Sequence, residues 1–261
     1  MTTTTSTSRP SCGTDRTVPL IVTARVRFVT TTRAGGVSAP PYDSFNLAYH
    51  VGDDPAAVTV NRERLAAGIG LPTAHVVWMN QVHGTHVEVV GAPRDPAAGE
   101  FEDTDALVTA VPGLALAVIS GDCVPVLLAD ARAGVIAAAH AGRVGAAAGI
   151  VLRTLEAMLG LGARAEDISA VLGPAVSGRN YEVPDQMAAE VEVRLPGSRT
   201  TTASGTPGLD LRAGIARQLL AAGVGAVEID PRCTVEDPDL FSHRRDNPTG
   251  RMASLVWIEP S

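Results

Sequence analysis

The sequence predicts a mixed α/β fold, and three observations carry that reading. Apolar runs of strand length alternate along the chain with segments of helical period. Two of those runs, 124–129 and 135–139, are rich in Val, Leu, Ile and Ala. They flank the turn-forming stretch Asp130-Ala-Arg-Ala-Gly134, so they read as a hairpin. The 261 residues show no internal repeat and no linker, and are enough for one unit with a full core.

In chain order, residues 1–17 are polar and lack an apolar segment, which reads as a disordered tail and not a signal peptide. A single domain over 18–261 follows. β-branched alternation over 19–28 gives a first strand. Gly35-Gly36 allows a tight turn beside Arg33, and an aromatic loop over 40–47 leads through Asn46 to His50. Asp53 and Asp54 can cap a helix running to Gly68, with Pro55 in its first turn. Short strands are expected at 76–78 and 86–90, then at 105–109 and 114–119 after an acidic loop over 92–103. Beyond the hairpin, apolar residues at Ile150, Val151, Leu155 and Leu159 mark one amphipathic helix over 146–159. A strand at 168–172 is broken by Gly173-Pro174. Helices at 185–194 and 211–222 bracket a Ser/Thr/Gly loop over 196–207. A strand at 227–229, a polar loop at 241–250 and an apolar strand at 252–258 complete the chain.

Composition excludes several chemistries. The net charge is −7, so there is no basic footprint for nucleic acid. The chain has no lysine, which rules out a Schiff base and a Walker A phosphate loop, and any anion must be held by Arg or backbone N–H groups. Three widely spaced cysteines, Cys12, Cys123 and Cys233, make no disulfide framework and suit a reducing cytoplasm. No apolar run approaches the roughly 20 residues of a membrane span.

Cys123 stands just before the first hairpin strand and His140 just after the second. Antiparallel pairing brings those ends together. A thiolate and an imidazole at one end of a buried sheet suit a zinc site or a Cys–His nucleophile pair. Asp122, next to Cys123, is a candidate proton carrier. His83 and His86 lie three apart, but Gly84 between them opposes a helix, so only one of the two is expected as a ligand.

The blocks TTRAGGVSAPPYDSFNLAYHVGDD, WMNQVHGTHV, DTDALVT, SGDCVPVLLAD, AAAHAGRVG, LGPAVSGRNYEV and CTVEDPDLFSHRRDNPTGRMASLVWI, with the Asn61-Arg62 pair, resemble the YfiH-like, laccase-domain family. That family is also called multicopper polyphenol oxidase-like, and its members are mostly described as purine nucleoside phosphorylases. The resemblance covers about residues 28–258. It implies an α+β-type single catalytic domain with mixed β-sheets flanked by helices. It also implies zinc held by His83, Cys123 and His140, with copper as the other metal. Three protein ligands leave a fourth position open, as in catalytic zinc. The implied activity is phosphate-dependent cleavage of adenosine, inosine and S-methyl-5′-thioadenosine, with adenosine deaminase activity. The partners are purine nucleosides and phosphate, in a monomer or small homo-oligomer in the cytoplasm. Arg33, Asn46, Arg143, Arg244 and Arg245 are the candidate substrate and phosphate contacts, and Cys123, His140 and Asp122 the catalytic ones. The family's His-Ala-Gly-Trp-Arg-Gly reads His140-Ala-Gly-Arg-Val-Gly145 here, so any role of the missing Arg falls to Arg143 or is lost.

Three other readings compete. Copper oxidation of polyphenols would need many more His than the six present and His-x-His pairs, which are absent. A Cys123–His140 amide hydrolase acting on cell-wall precursors would be inhibited by metal. Zinc could also be a structural clip in a non-enzymatic binding module.

Overall fold

In a computed structural model, residues 26–259 are described. The expected N-terminal tail, Cys12 and most of the strand expected over 19–28 lie outside them. What is seen of that strand is β1, Val26–Thr30.

Ten of the strands form two sheets. One has four strands in the order β1, β12 (Met252–Ile258), β5 (Ala115–Ser120) and β2 (Val76–Val77). The other has six: β11 (Ala226–Ile229), β8 (Ile168–Leu172), β6 (Val124–Asp130), β7 (Val135–Ala141), β4 (Ala106–Thr109) and β3 (Val87–Val89). Both mix parallel and antiparallel pairs.

The alternation of strand side chains explains the layering. Val124, Val126 and Leu128 of β6 pack with apolar residues of α3 (Ile150–Gly160), α4 (Asp185–Arg194) and α5 (Leu211–Ala221). Leu127 and Ala129 point the other way and meet Leu116 and Val118 of β5 and Val256 of β12. The opposite face of the smaller sheet, Ala117, Ile119, Leu255 and Trp257, is covered by Leu65 and Ala66 of α1 (Pro55–Gly68) and by Leu47. The order is therefore helices, sheet, sheet, helix and loops. Asp54 caps α1 by accepting from Ala56 N–H, with Pro55 at its first position.

Two expectations need correcting. The single helix over 146–159 is two, α2 (Arg143–Ala147) and α3, because Gly149 adopts a left-handed φ of 91° between them. The loop over 196–207 contains a strand, β9 (Arg199–Thr201), which pairs antiparallel with β10 (Pro207–Leu209). Their residues alternate too little and are too polar to signal burial.

A candidate metal centre at the end of the two-sheet layer

The hairpin of β6 and β7 pairs Pro125 with His140, which sets Cys123 one step beyond the last paired residues of β6. His140 falls inside the end of β7, on the side of Ala138, which faces the smaller sheet. The imidazole thus stands at the mouth of the space between the sheets and is 3% exposed.

His83 comes from the loop after β2. It adopts a left-handed φ of 61°, unusual for a residue with a side chain. Its Nε2 lies 3.7 Å from Cys123 Sγ, and its ring meets that of His140 edge-on at 4.7 Å. One ligand atom each from His83, Cys123 and His140 falls within 4.8 Å of the others. Gly142 permits this closeness: a Cβ there would stand 2.6 Å from His83 Cδ2 and 3.1 Å from the sulfur. His86 is exposed and lies near Glu88 on the surface.

Asp105 sits beside the triangle with its side chain wholly buried. Its Oδ1 accepts from His140 Nδ1 at 2.9 Å, which leaves Nε2 for the site. The same carboxylate accepts the N–H groups of Val82, His83 and Gly84 at 3.2, 3.0 and 2.6 Å. Burial pushes the Asp105 carboxyl up, but the His140 and backbone hydrogen bonds outweigh it and hold it below the usual range. Burial likewise pushes the Cys123 thiol up, yet hydrogen bonds from His140 and His83 bring it down to about 6. For His140, burial is overcome by the bonds to Asp105 and Cys123, and its pKa rises to about 9. Without metal, the pair is a thiolate beside an imidazolium near neutral pH.

The triangle floors a cavity of about 600 Å³, within the range of small-molecule sites. Arg143, Arg244 and Arg251 line it, with Tyr181, His50, His243 and Asn247. Arg244 lies 5.0 Å over the Tyr181 ring. Arg251 was not singled out from the sequence. It packs against Gly121, where a Cβ would meet its Cδ at 2.9 Å. That glycine beside Cys123 was the available signal.

Other expected contacts are placed elsewhere. Asn46 is fully buried and does not line the cavity. It donates to Ala48 O and Asp53 Oδ2 and accepts from the N–H groups of Ala48 and Arg251. Arg33 donates to Asp43 O and lies over the Phe241 ring. Arg245 is spent on the carbonyls of Thr234, Asp237 and Leu240. Asp122 lines the cavity, but its carboxylate accepts from Thr234 Oγ1, Ser242 Oγ and Arg244 N–H. These bonds tie three loop positions together and engage both oxygens.

Residues 27–259 match the family described as multi-copper polyphenol oxidoreductase laccase. The chain belongs to that family. Among its curated relatives, a purine nucleoside phosphorylase of Mycobacterium tuberculosis is 71% identical over 91% of this chain and 94% of its own. One of Corynebacterium glutamicum is 58% identical over 89% of this chain and 94% of its own. Among solved family structures, a Neisseria meningitidis protein superposes with a TM-score of 0.81 at 40% identity, covering 91% of this chain and 96% of its own. The Bacillus licheniformis hypothetical protein YfiH gives 0.83 at 32%, covering 90% and 93%. Among the described residues, no helix is long and apolar enough to cross a membrane.

Proposed function

We propose that this chain is a zinc-dependent purine nucleoside phosphorylase acting on adenosine, inosine and S-methyl-5′-thioadenosine, with adenosine deamination as a secondary activity. The observation that carries the reading is the His83–Cys123–His140 triangle at the floor of a cavity lined by three arginines. The name shared by the curated relatives points the same way.

The donor set fits zinc. Tetrahedral Zn–S and Zn–N bonds of about 2.3 and 2.0–2.1 Å put S and N about 3.6 Å apart, and the sulfur stands 3.7 Å from His83 Nε2. A divalent ion held there would act as a Lewis acid toward an anionic oxygen and would acidify water.

The other residues bind and orient. In phosphorolysis a phosphate oxygen attacks the anomeric carbon, and the bond to the purine breaks with its electron pair leaving on the base. Arg143, Arg244 and Arg251 supply fixed donors for the phosphate oxygens, which this lysine-free chain cannot draw from ammonium groups. Tyr181, with Arg244 over its ring, gives the cavity an apolar wall beside that arginine. Deamination needs a proton carrier, and Asp122, the only carboxylate lining the cavity among the described residues, is engaged by three donors. His50 and His243 are the candidates that remain.

Purified protein should release hypoxanthine from inosine only when phosphate is added. Cys123→Ala should lose both zinc and turnover. Full turnover by a zinc-free Cys123→Ala protein would remove the reading.

One observation favours a second reading. Asp105, His140 and Cys123 stand in the order orienter, base and thiolate, the arrangement of a thiol hydrolase. That enzyme would hydrolyse amides when stripped of metal and stop on alkylation of Cys123. The family's description names the oxidase, and copper outranks zinc in affinity for such ligands, but the sequence lacks the His-x-His pairs of a multicopper cluster.

A further inference from the structure

The loop carrying His83 is exposed at its side chains, yet its backbone is held. Val82, His83 and Gly84 are three successive residues whose N–H groups all converge on the Asp105 carboxylate. One end of that carboxylate also receives His140 Nδ1. Strand pairing fixes the donor and acceptor: His140 N–H bonds to Asp105 O, so the two residues face each other across β4 and β7. Gln81, one residue earlier, is clipped to the end of β5 by a pair of bonds with Ile119 N–H and O, both 2.8 Å.

We propose that Asp105 is the positioning residue of the metal centre: one buried carboxylate aims both imidazole ligands, through the ring of His140 and through the backbone of His83. The proposal rests on the reading of His83, Cys123 and His140 as a metal site. It goes beyond that reading in assigning to Asp105 a role that neither the residue triangle nor the relatives' names contain.

The physical case has two parts. A ligand histidine is commonly oriented by a carboxylate on its other nitrogen, and losing such a partner costs about 10–100-fold in metal affinity. Here the same group also holds His83 in its left-handed conformation. A residue with a side chain leaves that region unless local bonds compensate. Three charge-assisted N–H bonds to a carboxylate are such compensation. Without them the loop relaxes toward a commoner backbone shape and the His83 ring swings away from the sulfur. The triangle would then fall to two ligands, Cys123 and His140, with the second imidazole free to rotate.

Asp105→Asn tests this with little change of volume. An amide can accept at one oxygen, but its NH₂ faces donors it cannot bond. Zinc affinity, measured by competition with a chromophoric chelator, is expected to fall by about 10–100-fold. In the cobalt-loaded protein, the intense visible bands of a four-coordinate ion should weaken. In a His83→Ala background the same change should cost less, because the loop clamp no longer matters. Wild-type affinity and an unchanged cobalt spectrum in Asp105→Asn would overturn the proposal. An equal loss in both backgrounds would overturn its His83 half. If the wild-type protein takes up no zinc, the metal reading itself fails.

A measurement on the unaltered protein stands beside the variant, in case Asp105→Asn folds poorly. Hydrogen exchange of the Val82, His83 and Gly84 amides should be slow although the loop is at the surface. Exchange at the rate of a free loop would refute the clamp.

Discussion

Asn46 has zero exposure and every polar atom of its amide engaged, so its removal should be felt in folding. Asn46→Ala would leave the Arg251 and Ala48 N–H groups without this acceptor and Ala48 O without this donor. At about 1–3 kcal/mol for each group left unsatisfied in the interior, we expect a loss of several kcal/mol in chemical denaturation. Zinc affinity of the folded fraction should stay near wild type, because Asn46 touches none of His83, Cys123 and His140. Residues in the metal triangle should instead respond to pH. Metal uptake must expel the His140 proton below about 9, while the Cys123 thiol is already ionised above about 6. Zinc affinity should therefore rise about tenfold per pH unit between those values and flatten above the upper one. In the metal-free protein the sign follows the same pair. His140, raised on folding from 6.5 to about 9, loses its stabilisation as pH climbs across that range, while Cys123, lowered on folding from 9.0 to about 6, gains its own over nearly the same range. The two slopes oppose, so melting temperature should change little with pH between about 6 and 9.

Among elements, those that are mostly apolar or bounded by Pro and Gly were legible: the strands Ile168–Leu172 and Met252–Ile258 and the helix Asp185–Arg194 stand at the residues expected for them. The β6–β7 hairpin was legible too, and with it the meeting of Cys123 and His140, because antiparallel pairing fixes which ends coincide. What the sequence hid is set by single backbone choices or by long-range bonds. Gly149 divides α2 from α3 inside an Ala-rich run that reads as continuous helix. Asp105 looks like an ordinary residue at the start of a strand until the His83 loop is laid against it. His83 itself came from motif resemblance, since nothing in its spacing from residue 123 or 140 predicts contact. Gly149→Ala should isolate the backbone term. Its φ is 91° and no atom lies within 4 Å of the added Cβ, so the cost is the left-handed penalty alone. At about 1–2 kcal/mol, the melting temperature should fall by a few degrees, with kinetics unchanged.

At the scale of the whole molecule, a chain of net charge −7 gathers Arg143, Arg244 and Arg251 around one cavity. The surface as a whole repels phosphate, while the low-dielectric walls of the cleft focus a local positive field. Arg251 is the member most exposed to this tension. Burial lowers its pKa, and the nearby Asp122 and Cys123 carboxylate and thiolate pull it back up. One of its terminal nitrogens is already given to Thr249 O and Gly250 O, which aims the remaining edge of the fork. Arg251→Gln keeps a stem and a polar head but removes the charge. A charge-assisted hydrogen bond is worth about 1.5–3 kcal/mol, so kcat/KM for phosphate should fall by about 10–150-fold, while zinc content stays at the wild-type level because no metal ligand is touched. Raising ionic strength should raise the KM for phosphate in the wild-type enzyme and do so less in the variant, since salt screens a field that the variant has already weakened. A loss of zinc with Arg251→Gln, or a salt response equal in the two proteins, would place the phosphate elsewhere than on this arginine.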